Sequence, residues 1–165
     1  MAENLPFAQQ PEVAVTVIAH GARILGVHNE RWGVFTLPMT RRRAWQDPEI
    51  SPVLRQEEWE ITATRAAAEV LGRTFPKKTL PKPLLDPNET RDYRQSDADG
   101  VWKVYHLRVS GLAVEDTRLA PGVFGEWLAP DDFREREPIS PTARYVIDRL
   151  RLQGRLPPWP AGPVV

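Results

Sequence analysis

The chain has 165 residues, 41% hydrophobic and 27% charged, the size and composition of one soluble domain that can bury a core of its own. Lys plus Arg equals Asp plus Glu, at 22 each, so no global field draws the protein toward nucleic acid or a membrane surface. The lack of cysteine excludes disulfides, thiolate metal sites and a cysteine nucleophile.

Residues 1–12 show neither the basic start nor the apolar run of a secretory signal and are read as an N-terminal extension. No stretch approaches the roughly 20 apolar residues of a membrane span, so no membrane partner is expected and the cytoplasm is the expected location. Val13 to Ile18 is an almost continuous β-branched run, which predicts a strand covered on both faces. A turn at His20-Gly21-Ala22 leads into a hairpin partner over Arg23 to His28. Trp32 to Leu37 predicts another strand, stopped at Pro38, and Arg41 to Trp45 continues extended. Gln46 to Gln56 is expected to be a loop, within which Ser51-Pro52 offers an early helix start.

The next helix is predicted over Glu58 to Leu71, with an apolar stripe of Trp59, Ala63, Ala66 and Val70 and Gly72 as its C-terminal cap. Its acids lie early, where the helix dipole favours them. Lys77 to Gly100 is long, polar and proline-rich. Val101 to Val109 alternates, with Val101, Tyr105, Leu107 and Val109 on one face. Gly122 to Leu128 is a further strand, and Pro130 to Phe133 a short helical turn. Ser140 as N-cap and Pro141 in the first position open a helix whose apolar face is Ala143, Val146, Ile147 and Leu150, ended by Gly154. The 17 prolines cluster in 76–87, 130–141 and 157–163, marking loops and tails; the tail, 153–165, is expected to be extended and mobile around Pro157 to Pro160. The order is strands, helix, long loop, strands, helix. It predicts an α+β single domain over 13–152, with helices packed on a mixed sheet.

The helix from Glu57 to Gly72 resembles the signature helix of the Nudix hydrolases, in which an acid precedes by eight residues an Arg-Glu pair that is followed by two adjacent acids and a glycine. Glu57, Arg65, Glu69 and Gly72 stand at the matching positions, and Ala66 and Val70 replace the other two acids. The resemblance extends further. Leu37-Pro38-Met39-Thr40 stands where the family has Leu-Pro-Gly-Gly, and Trp127 to Phe133 followed by the Ser140 helix is similar to the family's ending. It implies an α/β/α Nudix-like sandwich. It also implies a Mg²⁺ or Mn²⁺ cofactor if the protein is active, with Glu57, Arg65 and Glu69 as catalytic candidates and Glu69 and Glu57 as metal ligands. Three carboxylates at i, i+3 and i+4 share a helix face and meet the demand of a hard cation for several oxygens. Here one of those three survives. Met39 and Thr40 replace the glycine pair, the loop before Glu57 is longer than in the family, and the box glycine falls on Ser51.

Each candidate also has a plainer reading. Glu57 and Glu69 are either residual metal ligands or solvated acids, with Arg65 and Glu69 forming an i,i+4 pair worth a few tenths of a kcal/mol. Arg41-Arg42-Arg43 is the foremost phosphate-binding candidate, since guanidinium forks bind phosphate bidentately. If extended, it sets Arg41 and Arg43 on one face with Arg42 pointing away; otherwise it is an edge strand protected by charge. Arg41, Arg43 and Trp45 are the ligand-binding candidates. Trp32, Trp45, Tyr93 and Trp102 are either stacking surfaces for a nucleobase or, as expected for strand aromatics, core. His20, His28 and His106 have no metal-like spacing. No nucleophile elbow, phosphate loop or Rossmann glycine pattern occurs, and no strong nucleic-acid signal.

The expected function is a Nudix-fold protein with weak or lost hydrolase activity that binds a nucleotide-like or diphosphate-containing ligand or a protein partner, a homodimer included. The alternative is a divergent Mg²⁺-dependent hydrolase of a nucleoside diphosphate linked to another moiety. Its missing acids would come from Asp86 to Glu89, Glu115-Asp116 or Glu126. A third reading is a structural partner in an assembly, held by the proline-rich loop or tail.

Overall fold

Strand β1 (Glu12–His20) is buried at every residue from Val13 to Ala19, and a strand with no solvent face requires a layer on each side. The computed structural model describes residues 11–46, 54–76, 79–85, 93–96 and 102–159. After β1 come β2 (Arg23–Asn29), β3 (Val34–Thr36), β4 (Met39–Arg41), β5 (Ala44–Gln46) and β6 (Leu54–Gln56). Helix α1 (Trp59–Leu71) is followed by β7 (Lys82–Pro83), β8 (Tyr93–Ser96), β9 (Trp102–Ala113) and β10 (Gly125–Leu128), then α2 (Pro130–Arg134) and α3 (Pro141–Leu152). The central sheet runs β10-β2-β1-β9-β7. Its one parallel pairing among the named strands, β1 with β9, extends from Glu12↔His106 to Ala19↔Ala113.

The sheet forks. β1 and β2 pair only at Ala19↔Ile24 and His20↔Arg23. Beyond that point β3 takes the edge of β2 and β4 takes the edge of β1. Leu37-Pro38 joins them, with the Thr16 amide donating to the Pro38 carbonyl at 3.0 Å. Proline ends β3 as its missing amide demands, and the fork carries the segment from Met39 to Arg43 toward the start of α1.

Alternation along β1 builds two apolar layers. Val13, Val15, Val17 and Ala19 join Leu107, Val109, Phe133 and the α3 face Ala143, Val146, Ile147 and Leu150. On the opposite face Ile18, Leu25, Leu112 and Val114 meet Ala67 and Leu71 of α1. The molecule is thus a mixed sheet between helices, the α+β sandwich expected. Gly26 is required by close packing: a Cβ there would stand 2.1 Å from Phe35 and 2.4 Å from Phe133, whose rings stack 4.8 Å apart.

Both predicted helix ends are present. Gly72 adopts φ +68° and its amide caps onto the Ala68 carbonyl, while Ser140 Oγ accepts from the Ala143 amide at 3.0 Å. Ser140 also bonds Thr36 Oγ1 at 2.9 Å, locking α3 to β3.

Four expectations need correction. Leu54–Gln56 pairs with β5, so the segment before α1 is the second arm of a ribbon and not a loop or an early helix turn; Ser51-Pro52 lies outside the described residues. The buried face of α1 is Thr62, Ala63, Ala66, Ala67 and Leu71, rotated from the predicted stripe so that Trp59 and Val70 stand at its edges. Thr62 is polar and so escapes a hydrophobic pattern, yet its hydroxyl is satisfied by Glu57 at 2.8 Å. The tail does not run free through its first proline pair. Leu156 and Trp159 pack on the α3-side core, and the Trp159 indole donates to the Arg155 carbonyl at 2.9 Å. Lastly, Trp32 and Trp45 are 65% and 48% exposed and are not core. The side chains of Tyr93 and Trp102 lie outside the described residues. No helix among the described residues is long and apolar enough to cross a membrane.

Candidate functional site

The site is organised around Arg65, on the second turn of α1. Its Nε and Nη2 donate to the two Glu57 oxygens at 3.2 and 2.8 Å. Nη2 also donates to the Arg41 carbonyl at 2.8 Å, and Nη1 to Thr40 Oγ1 at 2.9 Å. One guanidinium therefore ties the helix, Glu57 two residues before it and strand β4 together, using the planar fork that lysine lacks. Thr40 stands where the family resemblance placed a glycine, and its hydroxyl fills that space as a partner for Arg65.

Glu57 is only 7% exposed. Its Oε1 also accepts from Thr62 Oγ1 at 2.8 Å and from the Arg43 amide at 3.3 Å. The Arg65 hydrogen bonds hold its carboxyl at about 2, with burial opposing and the Thr62 hydroxyl and Arg43 amide assisting. The Glu57 carboxylate in turn raises Arg65. The structure accordingly places Glu57 and Arg65 together, as a buried pair with each donor and acceptor engaged.

Glu69 is the acid of α1 at a position that the resemblance gives to a metal ligand. Its side chain is half-exposed and meets Arg65 Nη1 at 3.3 Å, the i,i+4 contact anticipated. Beside it, Ala66 is 1% exposed and Val70 packs on the α1-side core. Among the described residues this donor set does not fit a divalent metal, since Mg²⁺ requires near-octahedral oxygen coordination and the site offers the Glu69 carboxylate, itself paired with Arg65. Among the described residues no three His, Asp or Glu side chains form a group that could hold a metal ion. Of the other acids named above, Glu115 is exposed, and Glu126 and Asp116 are paired. Glu126 pairs in register with Gly26, which faces Phe35 and Phe133, so it lies on the opposite side of the sheet from α1. There it takes Arg136 and, at 3.4 Å, His28. Asp116 is held near 2 by Arg118, and Arg73 also reaches it, at 3.3 Å. Asp86 to Glu89 lie outside the described residues.

The arginine run divides as its spacing predicted. Arg42 folds inward: Nη1 meets Glu12 Oε2 at 3.0 Å, Nε donates to the Glu57 carbonyl at 2.5 Å, and the guanidinium lies 4.7 Å from the Trp59 ring centroid. Arg41 and Arg43 are exposed. The Arg43 backbone pairs with Glu57, accepting from its amide at 2.8 Å, which fixes the base of the β5–β6 ribbon. Trp45 lies opposite Arg55 on that ribbon. Arg41, Arg43 and Trp45 thus form an exposed basic and aromatic rim beside α1.

Sequence reasoning missed Arg108. It belongs to the face of β9 opposite Leu107 and Val109, and its guanidinium lies 5.4 Å from the Trp59 centroid. The alternation of β9 marked this face as polar, but only the covering by α1 shows that it is an interior face.

Three solved structures share this architecture. A Nudix hydrolase from Nitrosomonas europaea superposes with a TM-score of 0.58 at 18% identity, over 90% of this chain and 93% of its own. The Nudix domain of Shewanella oneidensis NrtR, complexed with ADP ribose, gives 0.58 at 20% identity over 92% and 97%. A MutT Nudix hydrolase from Burkholderia pseudomallei gives 0.57 at 17% identity over 86% and 98%. No family model and no curated protein matches the sequence. The chain has the Nudix fold.

Proposed function

We propose that this Nudix-fold chain is a binding protein for a nucleotide-like or diphosphate-containing ligand and has lost metal-dependent hydrolysis. The observation that carries the reading is Ala66, closed into the core at 1% exposure beside the retained Arg65. The family's Arg-Glu pair is here an Arg-Ala pair. The arginine keeps its architectural work while the neighbouring acid is replaced by a packing residue. A metal-bridged phosphate needs clustered carboxylates, and Glu69 supplies one. Ligand recognition needs none, and the exposed Arg41, Arg43 and Trp45 offer the forks and the stacking face that a phosphate-bearing base or ribose requires. The NrtR relative, complexed with ADP ribose, supports the ligand class.

Two measurements on the purified protein test this. ADP-ribose in EDTA is expected to raise the melting temperature by several degrees, since ligand at about 100 times its Kd adds roughly 2.7 kcal/mol of apparent stability. Incubation of nucleoside diphosphate derivatives with Mg²⁺ is expected to give no turnover above the blank. Mg²⁺-dependent hydrolysis at ordinary enzyme rates, abolished by Glu69→Gln, would overturn the reading and restore a divergent hydrolase.

A further inference from the structure

Two guanidiniums approach one indole on the α1 side of the sheet, and only one of them is neutralised. Arg42, 4.7 Å from the Trp59 centroid, is matched by Glu12 at 3.0 Å and by the Glu57 carbonyl. Glu12 is shared with Gln56 Nε2 at 3.2 Å and has no further anion beside it in register, since its neighbour on β9 is His106. The side chain of Arg108, 5.4 Å from the same ring, makes no hydrogen bond or ion pair among the described residues, and its Nε is buried without a partner. A half-buried guanidinium that spends none of its donors on the described residues is costly unless something else accepts them. The indole face supplies cation–π attraction but no hydrogen-bond acceptor to the planar fork. An anion with paired oxygens would match the fork.

We infer that Arg108, stacked on Trp59, is the phosphate-binding residue of an anion subsite between β9 and the start of α1, and that it takes the diphosphate of the ligand. This rests on the proposed ligand class and names its recognition point. Arg42 and Trp59 are positioning residues. Arg42 is anchored by Glu12 and the Glu57 carbonyl, and with Arg108 it brackets the ring that orients the fork. Arg41 and Arg43, exposed on the adjoining segment, extend the same positive field toward solvent. The subsite needs no metal, because the charge that neutralises the phosphate is already in the chain.

The test is calorimetric titration of the full chain in EDTA with sodium pyrophosphate, ADP and adenosine. Arg108→Gln is expected to weaken pyrophosphate and ADP at least tenfold, to leave adenosine unchanged, and not to lower the melting temperature of the ligand-free protein. Arg108→Lys keeps the charge without the fork and is expected to lose most of that affinity as well. Arg118→Gln removes an exposed cation elsewhere and is expected to bind as the wild type. If wild-type protein binds ADP and Arg108→Gln binds it equally well, the subsite is wrong while the ligand class stands. The subsite is also wrong if Arg108→Gln keeps its affinity and melts lower, since Arg108 is then structural. If wild-type protein binds neither ADP nor pyrophosphate, the subsite and the ligand class fall together.

Discussion

Glu57 and Arg65 show how one ion pair can join a helix to the strand and ribbon beside it. Removing one partner of a buried pair strands the other charge, at a cost of about 3 kcal/mol. Glu57→Gln is therefore expected to lower the urea midpoint by a corresponding amount, with Arg65, Thr62 and the Arg43 amide losing their charged acceptor. The pH dependence has a definite sign. The Glu57 carboxyl is depressed from 4.5 to about 2, so its contribution is fully present above pH 4.5 and is lost as pH falls through about 2. Urea unfolding of the wild type across pH 5 to 2 should show this loss, and Glu57→Gln should flatten it. An unchanged slope would mean that the pair contributes little in solution. The same residue scale separates Arg42, whose Nε and Nη1 are bound, from Arg108, whose Nε is buried with no partner among the described residues.

At the scale of the element, α1 is a well-formed helix whose alanines serve packing. Alanine is the best helix former, and Ala63, Ala66 and Ala67 let the helix lie close enough to the sheet for Thr16 Oγ1 to reach the Ala63 carbonyl at 2.8 Å. An acid at position 66 is for this reason expected to destabilise the fold. Ala66→Glu puts a carboxylate at a position 1% exposed, and burying it is expected to cost about 2–3 kcal/mol or more. The measurement is the urea midpoint with and without Mg²⁺. A Mg²⁺-dependent gain in stability would show that a latent metal face survives. Helix boundaries were legible because capping is local chemistry: Ser140 before Pro141, and a glycine after Leu71. The β5–β6 ribbon was not, since its pairing joins Ala44 to Gln56 across an intervening segment and a hydrophobic pattern carries no record of such a partner.

At the scale of the whole molecule, the fork between β1 and β2 admits β3 and β4, and β4 delivers Thr40 and the arginine run to α1. The second long-range feature is the proline-rich strap. Trp159 crosses Gly111 so closely that a Cβ there would meet the indole at 2.9 Å, and it packs with Leu84 and Leu156 on the α3-side core. Trp159→Ala is expected to destabilise the fold by about 2 kcal/mol, less than a full core truncation because the ring is half-buried. Equilibrium unfolding with an unchanged m-value would attribute the loss to packing, while an unaltered midpoint would show the strap to be dispensable. The sequence by itself determined what depends on neighbours along the chain: the two-faced burial of β1, the alternation of β9, the caps of α1 and α3, and the arginine and acid spacing that resembles the Nudix helix. Only the tertiary structure decided which polar residues are interior. Glu57 is enclosed by Arg65, Arg108 lies under α1, and Trp45 stands in solvent, because burial and charge compensation depend on the layer that covers a residue and not on the residues beside it in sequence.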